Sequence, residues 1–190
     1  RPMKPHSERE PIILSVGRLV EQKNFPLLLK AFKILVEEVP EARLIIIGRG
    51  PLENKILEYV RRLDLKDSFK LVKRWLSEDD LVKMYNDAAV LAITSHYEGG
   101  PRVAFEAGAC HTPFVSTPVG ILAEVAKDGV HGFFAEGVGD FAEKLLKLLR
   151  QPELRQSMGE VFRRMIVENF EWNRAIRLYA ESYLDLLRSL

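Results

Sequence analysis

The sequence predicts a doubly wound α/β domain: a parallel sheet of about six strands with helices on both faces. Three observations carry this. The short strand-length runs are apolar throughout instead of alternating, as strands buried on both faces must be. Each run is followed by a stretch with helical spacing. After the sixth run only helical patterns remain. Residues 12–16 (Ile-Ile-Leu-Ser-Val) form the first strand, ending in Gly17. Residues 25–39 then place Leu28, Leu29, Phe32, Leu35 and Val36 on one helix face. A second strand at 44–47 is closed by Gly48 and Gly50, and a helix runs from Pro51 to about Leu63 with Leu52, Ile56, Tyr59 and Val60 inward. Residues 69–72 form a third strand. Ser77-Glu78-Asp79-Asp80 is a helix cap, and Leu81, Met84 and Tyr85 form the inner face behind it. The remaining strands are 89–94, 114–116 and 133–134, separated by helices at 101–110 and 122–126. Helices at 138–149, 152–168 and 172–190 complete the chain.

With 190 residues, 47% of them apolar, the chain has enough material for a core and is not intrinsically disordered. Its net charge of +1 provides no strong field toward nucleic acid. The single cysteine, Cys110, excludes an intramolecular disulfide, and no Cys/His cluster suggests zinc. These features point to a reducing, cytoplasmic setting. Apolar runs such as 88–93 are too short to cross a bilayer. Residues 1–11, charged and proline-rich, read as a linker leading into the domain and not as a signal peptide. Residues 12–168 are the domain proper, and 169–190 a helix packing on it or crossing toward a further domain.

In such a sheet ligands bind beyond the carboxyl ends of the strands, so the loops at 17–24, 48–51, 73–77, 95–101 and 117–121 carry the chemistry. In the first, Gly17 permits a tight exit, and Arg18 and Lys23 bring two cations near a helix N-terminus, a setting for a phosphate or diphosphate. Solvated loop cations are the plainer alternative. No Gly-Lys-Ser/Thr follows, so this is not a Walker loop. The absence of Gly-x-Gly-x-x-Gly at this junction argues against a nicotinamide or flavin cofactor. Gly48-Arg49-Gly50-Pro51 reads as turn punctuation. The fourth loop, Ser95-His96-Tyr97-Glu98-Gly99-Gly100-Pro101, is the most informative. Glycines admit close approach of a ligand, Pro101 starts a helix, and the amides of Arg102 and Val103 are expected as unpaired first-turn donors. Glu98 suits a sugar hydroxyl, and Glu106, inside the helix, suits the vicinal diol of a ribose. Asp79-Asp80 suits a helix cap better than a metal. His96 sits beside the site. Trp75 can flank a base or pack in the core, and Trp172 reads as an anchor for the tail.

Taken together, these residues resemble the C-terminal, donor-binding half of a GT-B glycosyltransferase, most closely retaining glycosyltransferase family 4. Val16-Gly17-Arg18-Leu19 with Lys23 is similar to the family's Gly-Arg-Leu-x-x-x-Lys segment. Glu98 through Glu106 is similar to its Glu-x7-Glu motif. Val119-Gly120 with Glu124 falls at Gly-Gly-x-x-Glu, and Asp128-Gly129-x-x-Gly132 and Phe170-Glu171-Trp172 follow in order. The resemblance implies a Rossmann-like domain in which Arg18, Lys23 and Glu98 are catalytic. Arg18 and Lys23 would grip the donor diphosphate, Glu98 the sugar and Glu106 the ribose. Gly17 and the backbone around Gly100, Arg102 and Val103 would contact phosphate or sugar, and Arg74 or its neighbours the nucleobase. The departures are Pro101 and His111 at positions where glycine is common, Ile121 for the second glycine of the pair, and Lys73-Arg74 where a glycine usually ends the strand.

The expected activity is transfer of a hexosyl group from a UDP- or GDP-sugar to a saccharide or lipid-linked acceptor, with no metal and no cofactor. The acceptor would be bound by a second domain not present in these residues, so the chain alone is expected to bind donor without efficient transfer. Peripheral association of the whole protein with the cytoplasmic membrane face is a lesser expectation. The rival readings are a non-catalytic nucleotide- or partner-binding module on the same fold, and a sugar-nucleotide epimerase.

Overall fold

The computed structural model describes residues 2–74, 76–170 and 172–188. The β-branched and leucine runs form six parallel strands: β1 (Ile12–Val16), β2 (Arg43–Ile47), β3 (Phe69–Val72), β4 (Val90–Ile93), β5 (Phe114–Ser116) and β6 (Gly132–Phe134). Their order is β3-β2-β1-β4-β5-β6. The chain winds outward from β1 in one direction and, after crossing back to β4, outward in the other. That reversal opens a crevice at the carboxyl ends of β1 and β4. Ile13 of β1 faces Leu44 in the register, and Leu14 pairs with both Ile45 and Leu91.

Alternation along each strand fills two cores. Ile13, Leu44, Ile46, Val90 and Val115 face α1 (Phe25–Glu38), α2 (Glu53–Arg62) and α6 (Gly137–Arg150), packing on Phe32, Ile56 and Phe141. Ile12, Leu14, Leu91, Ile93 and Phe114 face the other way. They pack on α3 (Glu78–Asp87), α4 (Arg102–Ala109), α5 (Gly120–Val125) and α7 (Pro152–Phe170) through Tyr85, Ala107, Leu122 and Phe162. Ser77 caps α3, its Oγ accepting from Asp80 N at 3.2 Å. The last helix, α8 (Trp172–Arg188), leaves Ile176, Tyr179, Tyr183 and Leu187 exposed. Trp75, Glu171 and the side chain of Trp172, each read above for a role, lie outside the described residues.

The segment ahead of β1, read from sequence as a linker, is fastened to the domain. His6 and Arg9 are 2% and 6% exposed. Arg9 Nη1 donates to Tyr85 O, Ala88 O and Thr112 Oγ1, and its Nη2 to Cys110 O at 2.8 Å. Arg155 Nη1 donates to Leu148 O and Leu149 O, and its Nη2 to His6 O at 2.9 Å. The two guanidiniums therefore satisfy carbonyls at the C-terminal ends of α3, α4 and α6, where helix dipoles favour a cation. His6 Nε2–H donates to His111 O at 2.7 Å. His111, a position where the family resemblance implies glycine, has φ +64°, in the left-handed region that glycine adopts freely; histidine is among the few other residues that tolerate it.

Candidate active site

The site is built on the loops that leave β1, β4 and β5. Gly17 N donates to Ile47 O, Leu19 N to Arg49 O, and Leu52 N to Leu19 O. Gly48 and Gly50, read from sequence as turn punctuation, are the floor of this loop. A Cβ on Gly48 would stand 1.9 Å from Gly17 O, and one on Gly50 2.4 Å from Leu19 O. Leu19 is fully buried, so it pins the loop and leaves Arg18 exposed in front of it. No hydrogen bond or ion pair engages the Arg18 side chain among the described residues.

Lys23 closes a single turn of 3-10 helix, Glu21–Lys23, and its ammonium forms an ion pair with Glu98. The two side chains are only 19% and 11% exposed. Ser95 Oγ donates to the same Glu98 oxygen at 2.6 Å. Hydrogen bonds to backbone carbonyls knit the loops together. Thr94 Oγ1 donates to Lys23 O, His96 N to Gln22 O, Gln22 Nε2 to Tyr97 O, and Thr117 Oγ1 to Ser95 O. Gly120 has φ +54°, and a Cβ there would be 2.5 Å from the carbonyl oxygens of Glu98 and Gly99. Ile121 N donates to Gly99 O at 3.0 Å. Glu98 is thus held by side chains from two loops and by the backbone of a third. A pair this buried adds little net stability, because desolvation offsets attraction. It lies at the switch point, the edge of the sheet where ligands of doubly wound domains bind.

One sequence expectation needs correcting. The Arg102 amide is not an open donor: it donates to Gly100 O at 2.9 Å. Pro101, with φ −73° and ψ 86°, is the centre of an inverse γ-turn that closes this bond. Pro101 therefore precedes α4 and does not form its first residue. Val103 N has no backbone partner among the described residues and stays available at the helix start. The Arg102 side chain is 90% exposed and lies 3.7 Å from Glu106 Oε1. Gly100 is exposed, with Ile121 Cγ2 the nearest neighbour of a Cβ built there, at 3.4 Å.

Glu106 lies on the flank between α3 and α4. Its Oε2 accepts from Tyr85 Oη at 2.9 Å. Both line a cavity of about 300 Å3 together with Glu78, Leu81, Val82 and Cys110. Arg74 is exposed beyond β3, at the rim of a groove of about 640 Å3 shared with Lys70, Leu76 and Met84. Lys73 pairs with Glu53 at 2.5 Å. Burial pushes the Cys110 thiol up, which disfavours a thiolate nucleophile. Asp79 and Asp80 stay in the first turn of α3. Among the described residues no group of three or more His, Cys, Asp and Glu is placed to hold a metal ion, and no helix is long and apolar enough to cross a membrane.

Gly17, Lys23 and Glu98 therefore share one cluster, with Arg18 exposed beside it, while Glu106 lies on the cavity between α3 and α4 and Arg74 on the groove beyond β3. Sequence reasoning missed three contributors. Ser95, three residues before Glu98, carried a local signal. Tyr85 was hidden by its core spacing. The pair Gly48 and Gly50 was read as a turn alone.

The fold and this cluster define a class, a Rossmann-like domain with two cations, Arg18 and Lys23, at its switch point. The model of the family described as glycosyl transferases group 1 matches residues 1–165. The chain belongs to that family, and it has the fold of the C-terminal domain of a GT-B glycosyltransferase. It is 30% identical over 185 residues to N-acetyl-alpha-D-glucosaminyl L-malate synthase of Bacillus anthracis, covering 96% of this chain and 47% of that protein. It is 34% identical over 161 residues to D-inositol 3-phosphate glycosyltransferase of Kribbella flavida, covering 78% and 38%. The chain spans less than half the length of these relatives. A structure of a TarM mutant of S. aureus, in complex with fondaparinux, alpha-GlcNAc-glycerol and UDP, superposes with a TM-score of 0.85 at 22% identity. That match covers 95% of this chain and 36% of TarM.

Proposed function

We propose that this domain binds the nucleoside-diphosphate sugar of a retaining, family 4 glycosyltransferase, and that the whole protein moves a hexosyl group to a saccharide or lipid-linked acceptor in the cytoplasm. When the bond from the anomeric carbon to the β-phosphate breaks, negative charge grows on the leaving diphosphate and positive charge on the sugar ring. Arg18 and Lys23 stabilise the first of these, together with the open Val103 amide at the start of α4. Fixed cations do this without reorganising as the reaction proceeds, so the reading assigns no metal or cofactor. Glu98 orients the sugar through a hydroxyl, and the incoming diphosphate competes with it for Lys23. Glu106 takes the ribose, and Arg74 and its neighbours stand at the base. The acceptor is bound outside residues 12–168, and α8, with its exposed apolar side chains, leads toward that second domain.

The observation that carries this reading is the Lys23–Glu98–Ser95 cluster, desolvated at the switch point beside an unengaged Arg18. The test is calorimetric titration with UDP, GDP and ADP against the chain and its Arg18→Ala variant. Binding of one diphosphate, weakened about 10- to 100-fold by loss of a charge-assisted guanidinium contact, supports the reading and names the base. Binding of none by the whole protein overturns it in favour of a scaffold module.

A further inference from the structure

The contact between Tyr85 and Glu106 is used by none of the steps above. This inference rests on the ribose reading of Glu106. Glu106 stands on an exposed flank of α4, its side chain 37% accessible, with a rotatable stem that would spread the carboxylate over several rotamers. Tyr85 is 1% exposed and packed with Leu14, Leu91, Ala107 and Cys110, so its ring does not move aside. Its own carbonyl is held by Arg9 Nη1 and Thr112 Oγ1. Burial and the adjacent Glu106 charge push the phenol pKa far up, so the hydroxyl stays protonated and donates. One carboxylate oxygen, Oε2, is thereby taken, and the other, Oε1, is left toward Arg102 and solvent.

We propose that Tyr85 is a positioning residue that aims Glu106 at the vicinal diol of the donor ribose, and so makes the domain selective for ribonucleoside over 2′,3′-dideoxynucleoside diphosphates. A carboxylate fixed on one oxygen presents the other in a single direction, so the diol meets a preorganised acceptor. A ligand lacking both hydroxyls gains nothing from that arrangement.

The test compares calorimetric affinities of UDP, GDP and ADP with those of their 2′,3′-dideoxy forms, for the wild-type chain, Tyr85→Phe, Glu106→Ala and the double variant. Tyr85→Phe keeps the ring and its packing. The expected result is a ribo preference of at least about 10-fold in the wild type, as for loss of hydrogen bonds to a charged group. Tyr85→Phe weakens the ribo forms several-fold and leaves the dideoxy forms unchanged, and the double variant is no weaker than Glu106→Ala alone. A merely structural role would weaken both forms equally, which overturns the proposal. So does a preference that Glu106→Ala abolishes and Tyr85→Phe leaves intact. A preference that survives Glu106→Ala instead overturns the ribose reading itself.

Discussion

Acid sensitivity of the segment ahead of β1 is the most quantitative consequence of this fold. His6 is 2% exposed, its Nε2–H is spent on His111 O, and its Nδ1 has no hydrogen-bond partner among the described residues. Burial first, then the nearby charges of Arg9, Arg155 and His111, pull its pKa from 6.5 to about 3, against the opposing pull of the His111 carbonyl. The folded protein therefore keeps His6 neutral, while the unfolded chain protonates it below about 6.5. Between these values the unfolded chain binds one proton more, so stability rises with pH by up to about 1.4 kcal/mol per unit. The contribution is complete above pH 6.5 and is lost as pH falls toward 3, at most about 5 kcal/mol in total. His6→Gln retains an amide donor for His111 O and does not titrate. Urea unfolding of both chains at pH 4.5, 5.5, 6.5 and 8 measures the difference. The advantage of the wild type over His6→Gln should be constant from pH 8 to 6.5 and fall by about 2–3 kcal/mol by pH 4.5. Parallel curves for the two proteins down to pH 4.5 would refute the argument.

Three further outcomes follow from the geometry. Lys23→Met leaves the Glu98 carboxylate with Ser95 alone and should destabilise the domain by about 1–3 kcal/mol in urea unfolding, with most of the loss recovered in Lys23→Met/Glu98→Gln. Gly48→Ala sets a methyl group 1.9 Å from Gly17 O. Because the obstacle is backbone, the cost should exceed about 3 kcal/mol by thermal unfolding, and nucleoside diphosphate binding should be lost with the loop. Ser77→Ala removes the α3 cap and should cost about 1 kcal/mol while leaving diphosphate affinity unchanged by titration.

Much of the fold was legible because burial on both faces leaves a parallel strand few polar positions, so the runs at 12–16, where only Ser15 is polar, and 44–47 read as buried strands. The site loops followed from them, since a charged residue just after such a strand sits at the ligand edge. That reasoning puts Arg18, Lys23 and Glu98 at one edge of the sheet, where the structure pairs Lys23 with Glu98. The Arg102 amide was misread because a γ-turn at Pro101 is a backbone choice that residue type only permits. His6 and Arg9 were invisible for another reason. Their partners lie as far along the chain as His111, Thr112 and Arg155, and polar residues without periodicity carry no sign of such contacts. Tyr85 showed its helical face in the sequence, but its hydroxyl finds Glu106 only once α3 and α4 lie side by side.

The two interior guanidiniums also change what the solvent meets. Arg9 and Arg155 are 6% and 4% exposed, so two of the positive charges behind the formal value of +1 are held in the interior and spent on backbone carbonyls. On the proposed reading, a dianionic donor approaching a domain of net charge +1 gains little long-range pull. Its encounter is governed by the short reach of Arg18 and Lys23, within about one Debye length. Added salt should then leave the association rate nearly flat and act through the lifetime of the complex, so that where the phosphate settles is decided locally and not by the field of the domain.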